Sequence, residues 1–371
     1  MVESKLKILM IVGARPQFIK AGMICKAIKH VKSEEDIKIS QKILHTGQHY
    51  DENMSKVFFQ ELGIPFPDFN LGIHDLSNSA MIGRMIEKIE EVLIKERPDW
   101  VLVFGDTNST IAGSIAAKSM KLKVAHVEAG LRSFNIKMIE EQNRIVTDRL
   151  SDLLFCPTEI AVDNLEREGI PNKKYGQKVV NVGDVMYDSL IFYSEVLNEK
   201  EVILLKLGVE KNNYILATIH RAENTDKKER LDNIISALNE IGSDKKVVLP
   251  LHPRTKKILE KRDISRNNIC FIPPISYLEM LFLEKNCRVI VTDSGGVQKE
   301  AYFFKKPCVT IRDETEWVEL VKAGVNLLVK ADKEEIKRAI ETSYDVSFSI
   351  YDNFYGDGGA SKKVIENIML F

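Results

Sequence analysis

The run Val289-Ile290-Val291-Thr292-Asp293-Ser294-Gly295-Gly296-Val297-Gln298-Lys299-Glu300 reads as a short buried strand, a tight glycine turn and the first turn of a helix. Adjacent glycines let a backbone approach a ligand closely. The helix N-terminus beyond them offers unpaired N–H groups and the positive end of a dipole, which suits a diphosphate. Glu300 stands further along the same helix, placed to accept hydrogen bonds from sugar hydroxyls. The other reading of this run is an ordinary strand-to-helix turn followed by a surface glutamate.

The same grammar recurs along the chain. Short apolar runs alternate with longer amphipathic segments, the sign of βαβ units and a parallel sheet. Strands are expected at residues 6–12, 42–46, 100–104, 124–127, 153–156 and 179–182, and again at 214–219, 247–251, 269–272, 289–292 and 308–311. Helices are expected at 18–30, 53–62, 79–96, 109–119, 230–241, 277–284 and 360–369. A charged, helix-prone stretch at 187–208 holds the crossover between the halves. The fold class that follows is α/β, two doubly wound Rossmann-like domains facing a cleft. Ligands of such sheets sit outside the carboxyl ends of the strands, so functional residues should cluster just after strands.

The 371 residues favour two domains over one. Hydrophobic content of 44% and charged content of 29% are those of a globular protein able to bury real cores. A net charge of −1 gives no field to hold nucleic acid or an anionic membrane. No apolar run reaches transmembrane length, and the first residues lack a signal-peptide layout, so a cytoplasmic protein is expected. Cys25, Cys156, Cys270, Cys287 and Cys308 are scattered, without a C-x-x-C pair, which speaks against zinc and against a disulfide framework.

Several strand ends carry polar clusters. Gly13-Ala14-Arg15-Pro16-Gln17-Phe18-Ile19-Lys20 offers the planar fork of Arg15 and the point charge of Lys20 to a phosphate or nucleobase, or simply a basic helix start. His45-Thr46-Gly47-Gln48-His49 has two histidines four apart, but in strand and turn, so a ligand-contact loop is favoured over a metal site. Asp106 in Gly105-Asp106-Thr107-Asn108 is either functional or a helix cap. Glu128 in His126-Val127-Glu128-Ala129-Gly130 ends a strand in an apolar setting, where burial raises a carboxyl pKa and makes an acid or base; a glutamate paired with an arginine is the alternative. Glu140-Glu141-Gln142-Asn143-Arg144 opens a helix, where acidic residues are favoured in any case. His220 and Arg221 suit a diphosphate, while His252 lies between two prolines that limit its backbone. Arg312-Asp313-Glu314-Thr315-Glu316-Trp317 follows the strand that ends near Ile311.

In this order and spacing, GARPQFIK, TGQH, GDTNST, HVEAGLRS, EEQNR, HRAEN, HPRT and TDSGGVQKEA resemble the non-hydrolysing UDP-N-acetylglucosamine 2-epimerases across nearly the whole chain. The resemblance implies a GT-B-like fold, a homodimer, and chemistry without NAD; no G-x-G-x-x-G follows the first strand. It implies domains at residues 1–186, completed by a helix at 358–371, and at 187–357. It implies C2 epimerisation by elimination and re-addition of UDP, with no metal. Asp106, Glu128 and Glu140 become the acid/base candidates and His220 the catalytic partner of the diphosphate. Arg15 and Lys20 would meet uracil or phosphate, Ser294, Gly295 and Gly296 phosphate, and Glu300 the ribose. Gln48, His49, Arg144 and His252 would line the remainder.

Departures from the common family pattern narrow the reading. Gln17 replaces a glutamate, Ile139 a proline, Ala222 an arginine, and Glu316-Trp317-Val318-Glu319 stands where TERPE is usual. Together with Ser133-Phe134-Asn135, these resemble the branch acting on UDP-2,3-diacetamido-2,3-dideoxyglucuronate. A neutral Gln17 would spare that anionic sugar a repulsion. Ile139 makes Glu141 the alternative to Glu140. UDP-N-acetylglucosamine is the alternative substrate. A GT-B glycosyltransferase or a regulatory UDP-sugar binder are the competing functions.

Overall fold

The computed structural model describes residues 6–35, 38–48, 59–194, 197, 201–251, 253–260, 262, 265–346 and 353–371. His49, His252 and most of the helix expected at 53–62 lie outside the described residues. Contacts divide the chain into one unit of Met1–Ile191 with Asn353–Phe371 and a second of Phe192–Asp352.

In the first unit the strands are β1 (Leu6–Val12), β2 (Ile39–His45), β3 (Phe69–Asn70), β4 (Trp100–Phe104), β5 (Lys123–Val127), β6 (Leu153–Cys156) and β7 (Lys178–Asn181). Their spatial order is β3-β2-β1-β4-β5-β6-β7, with every pairing parallel. Helices cover both faces, so central strands are apolar throughout rather than alternating; all five residues of β4 are buried. The helix Asn78–Glu96 buries Met81, Met85, Ile89 and Leu93, one residue per turn. These pack with Leu9, Ile11, Val101, Val103, Ala112 and Ala116 into one core.

The second unit holds β8 (Ile215–Thr218), β9 (Val247–Pro250), β10 (Ile269–Ile272), β11 (Val289–Thr292), β12 (Cys308–Ile311) and β13 (Asn326–Val329). The order β10-β9-β8-β11-β12-β13 repeats the doubly wound pattern of the first six strands. The two-fold α/β grammar expected from sequence is therefore present in each unit. Strand order reverses at β1/β4 in one and at β8/β11 in the other, and these switch points are where such sheets take ligands.

Some local expectations need correction. The first helix starts at Arg15 rather than near residue 18 and runs to Glu35. Pro16 fits its first turn because a missing N–H there leaves no bond unmade. Strands β3 and β13 and the helices Glu159–Arg167 and Lys333–Ser343 went unread in the sequence. Cys25, Cys156, Cys287 and Cys308 are buried free thiols; burial pushes the Cys308 thiol up to about 12 and Cys156 well above its usual value. None of the described helices is long and apolar enough to cross a membrane.

The final helix, Ala360–Leu370, returns to the first unit and packs on Arg15–Glu35. Its N-cap is Gly359, which has no side chain to offer. The buried Asp188 supplies the cap instead, accepting from Ala360 N at 3.1 Å, Ser361 N at 2.6 Å and the Ser361 hydroxyl. Asp188→Ala is expected to lower stability by about 1–2 kcal/mol, read as a lower urea midpoint, with Asp188→Asn retaining part of the loss.

Candidate functional site

At the first unit's switch point, Gln17 stitches two strand ends together. Its Oε1 accepts from Gly13 N and Ala14 N at 2.8 and 3.1 Å. Its Nε2 donates to Phe104 O at 2.6 Å and lies 2.9 Å from the hydroxyls of both Thr107 and Thr110. The side chain is buried and every polar atom is engaged within the protein. The expectation that a neutral Gln17 relieves repulsion of an anionic ligand gives way to a scaffolding role: its N–H groups meet a carbonyl that a carboxylate would repel. Gly13 is required by close approach, since a Cβ there would overlap the hydroxyls of Ser109 and Thr46.

Asp106 follows β4 but is not the helix cap; Thr107 caps Asn108–Ser119. The Asp106 carboxylate pairs with Arg144. Arg144 is itself buried and bridges to Glu141 at 2.6 Å, so it links two carboxylates at the place where the resemblance put it. Glu141 is buried and also accepts from Ser133 N, Ser133 Oγ and Phe134 N at 3.0–3.1 Å. That set of bonds engages both Glu141 oxygens within the protein. Glu140, in the first turn of Ile139–Leu150, is exposed. Gln48 accepts from Ser109 N and Oγ at 3.1 and 2.8 Å, so its carbonyl end is engaged by the protein.

Glu128 follows β5 with φ +75°, a left-handed conformation costly for a side chain with a Cβ and typically retained where function requires it. Its setting is not purely apolar, as the sequence suggested, because an ammonium group faces it. Lys20, buried on the first helix, pairs with its carboxylate. Two separately chosen residues, 108 positions apart, thus meet. Arg15 is exposed at the start of that helix.

A network that sequence reading missed holds these loops. The His126 ring lies 2.7 Å from Asp148 Oδ1 through Nδ1 and 2.7 Å from Gly105 O through Nε2, all of it buried. The ring is thus held from both nitrogens, between a carboxylate on one side and a backbone carbonyl on the other. Asp148 Oδ2 accepts from Arg132 at 2.7 Å and from Gly130 N at 3.2 Å. Arg132 continues to Glu168 at 2.7 and 2.9 Å. Burial opposes the charge on Asp148, but His126 and Arg132 outweigh it and hold the carboxyl below its ordinary value. The signal was present in the sequence, as His126 and Arg132 flank Glu128, but their partner lies 16 to 22 residues away.

In the second unit, Asp293 is fully buried after β11 and accepts from His220 N, Arg221 N and Asn224 Nδ2 at 3.1–3.2 Å. The His220 Nδ1 lies 3.3 Å from it, and the ring is 43% exposed. Ser294 is the N-cap of the helix Gly295–Phe303. A Cβ on Gly295 would lie 2.6 Å from Glu316 Oε1. This carboxylate, held by the buried Arg312 at 2.8 Å, stands close to the helix end that sequence assigned to a phosphate. Trp317 donates to Gly295 O at 2.9 Å and carries the Lys299 ammonium 4.3 Å from its ring centre. Glu300 is buried, not a surface residue, and accepts from the Tyr277 hydroxyl at 3.1 Å.

The family model described as UDP-N-acetylglucosamine 2-epimerase matches residues 31–369. A UDP-2,3-diacetamido-2,3-dideoxy-D-glucuronate 2-epimerase of Pseudomonas aeruginosa is 50% identical over 363 residues, covering 97% of this chain and 99% of that one. A UDP-N-acetylglucosamine 2-epimerase homolog of Methanococcus maripaludis is 51% identical over 367 residues, with 97% and 99% covered. The crystal structure of Methanocaldococcus jannaschii UDP-GlcNAc 2-epimerase in complex with UDP-GlcNAc and UDP matches with TM-score 0.88 at 42% identity, covering 99% of this chain and 100% of that chain. The fold class is accordingly α/β and GT-B-like.

The buried network predicts a defined acid response. Asp148 has a depressed value in the folded state, so its stabilisation is present above the ordinary Asp value of about 3.9 and is lost as pH falls through the folded value. Asp148→Asn removes the buried anion facing Arg132 and His126 and is expected to cost about 3–5 kcal/mol at neutral pH. Melting temperatures across an acid series should show a steep acid limb in the wild type and a flatter one in the variant.

Proposed function

The chain belongs to the UDP-N-acetylglucosamine 2-epimerase family, and on that premise we propose that its substrate is UDP-2,3-diacetamido-2,3-dideoxyglucuronate, inverted at C2 to the manno epimer. It is an isomerase that epimerises a UDP-sugar. The choice of substrate is supported by the 50% identity to the Pseudomonas aeruginosa enzyme over nearly both full lengths. UDP-N-acetylglucosamine is the second reading, favoured by the Methanocaldococcus jannaschii enzyme whose structure holds it. A cytoplasmic homodimer accords with the family resemblance.

The C2 proton of such a sugar is not adjacent to a carbonyl, so simple abstraction is unfavourable. Elimination avoids this. A base takes the C2 proton, a C1–C2 double bond forms, and the C1–O bond breaks with its electron pair leaving on UDP. An acid then delivers a proton to the opposite face of C2 and the UDP oxygen re-adds at C1. The steps need acid/base groups on two sides of the ring and cations or donors for the diphosphate.

The observation that carries this reading is the gathering of Asp106–Arg144 and Glu128–Lys20 at adjacent strand ends of one switch point. Glu128, Asp106 and the exposed Glu140 are assigned to proton transfer. His220, oriented by Asp293, is assigned to the leaving diphosphate with Ser294, Gly295 and Gly296. Glu300 is assigned to the ribose. For a diphosphate to use the Gly295 helix end, the Glu316 carboxylate beside it has to turn away, since both would claim the same donors.

Incubation with each UDP-sugar in D2O, followed by NMR at C2, tests the assignment. Deuterium should enter C2 as the second epimer appears, faster with the diacetamido-uronate than with UDP-N-acetylglucosamine. Glu128→Gln should slow exchange by roughly 100-fold or more while UDP still binds. Exchange at the wild-type rate in that variant would remove Glu128 from the chemistry.

A further inference from the structure

The loop between β5 and the helix Ile139–Leu150 holds a residue that neither packing nor local conformation explains. Phe134 has φ +59°, in the left-handed region that a side chain with a Cβ adopts at a cost. It is 74% exposed, so burial of the ring does not offset that cost.

The conformation is enforced from beneath. Glu141, itself buried, accepts from Phe134 N through Oε1 at 3.0 Å, and from Ser133 N and Oγ through Oε2 at 3.0 and 3.1 Å. Asn135 N donates to Ser133 Oγ at 3.3 Å, and Met138 N to Asn135 O at 2.9 Å. Gln142 Nε2 reaches back to Ile136 O at 2.8 Å. A loop tied in this way presents Phe134 in a fixed place.

The bracing is shared with the groups assigned to proton transfer. Glu141 Oε2 also accepts from Arg144 at 2.6 Å, and the other end of Arg144 pairs with Asp106. One ion-pair relay therefore sets both the Phe134 backbone and the Asp106 carboxylate. Along the chain the same loop runs from Glu128 to Glu140, the other two assigned carboxylates. It leaves the carboxyl end of β5, where doubly wound sheets meet their ligands. Strain of this kind persists where function uses it and the surroundings enforce it. A flat apolar ring suits the methyl of an acetamido group, which the polar side chains of these loops do not.

On the reading that the loops after β4 and β5 hold the sugar, we propose that Phe134 is a specificity-determining residue whose ring packs against the acetamido groups of the UDP-sugar. A sugar with acetamido groups at both C2 and C3 offers the ring more apolar surface than a sugar with one. The contact is present in bound substrate and transition state alike, so its loss raises KM and leaves kcat.

The experiment compares steady-state epimerisation of UDP-2,3-diacetamido-2,3-dideoxyglucuronate and UDP-N-acetylglucosamine by the full chain. Urea midpoints, UDP binding by calorimetry and mass by light scattering accompany it. Phe134→Ala removes the ring and keeps the strain; Phe134→Gly removes both. Each should raise KM for the diacetamido sugar by roughly tenfold, and for UDP-N-acetylglucosamine by less, with kcat and UDP affinity near their wild-type values. The glycine variant should match or exceed the wild-type urea midpoint, which separates weaker binding from a weaker fold. Phe134→Tyr keeps the ring and should hold the wild-type KM. A wild-type KM in either ringless variant, a fall in kcat in place of the rise in KM, or weakened UDP binding overturns the proposal. So does a change in mass, which would make Phe134 part of a contact between copies. A wild type that turns over neither sugar, or UDP-N-acetylglucosamine alone, overturns the substrate reading beneath it, a result visible before any variant is made.

Discussion

Asp148 is buried away from water, where a charge must be matched from within the protein. Its two oxygens are met by His126, Arg132 and the amide of Gly130. Through the far side of the His126 ring the same network reaches Gly105 O. The loops after β4 and β5, which carry Asp106 and Glu128, are therefore held to one buried anion from both directions. A carboxylate intended for proton transfer needs fixed placement, and strand ends alone do not give it. The positive φ of Glu128 is tolerated because its neighbours are pinned: Glu128 N and Ala129 N both donate to Phe155 O at 3.0 Å.

The second unit solves the same problem with the same residue type. Asp293 is also fully buried after a switch-point strand, and it gathers the backbone amides of His220 and Arg221. In both units a buried aspartate organises the loop after a neighbouring strand, while the exposed side chains of that loop remain for other work. The His220 imidazole projects from such an anchored loop. The device suits a fold in which ligands meet loops at the strand ends but precision has to come from the packed interior.

Much of this architecture could be read from the chain because helix-covered parallel strands are apolar runs bounded by polar turns. β1, β4, β6, β10, β11 and β12 match their expected bounds. β3, with two residues, and β13, whose run continues into a lysine, give little such contrast. The candidate site was legible in its strand-end positions and not in its partners. Nothing local in the sequence says that Lys20 meets Glu128, or that of two adjacent glutamates Glu141 is buried in a web of donors and Glu140 is exposed. Those facts depend on which face of a helix start is turned inward, which is decided by residues far along the chain. The two ion pairs of Arg144 were hidden for the same reason.

The departures from the common family pattern also work from inside. Gln17 donates to Phe104 O, which a glutamate in the same place would repel unless protonated. Trp317 donates to Gly295 O and covers Lys299. Glu141 holds Ser133 and Phe134, fixing an exposed phenylalanine at φ +59°. Each acts through bonds within the protein rather than by adding a free charge to a loop. Transplanting a single one of these residues into a relative should shift the backbone before it shifts specificity, because the hydrogen bonds that give it effect come from residues on other strands.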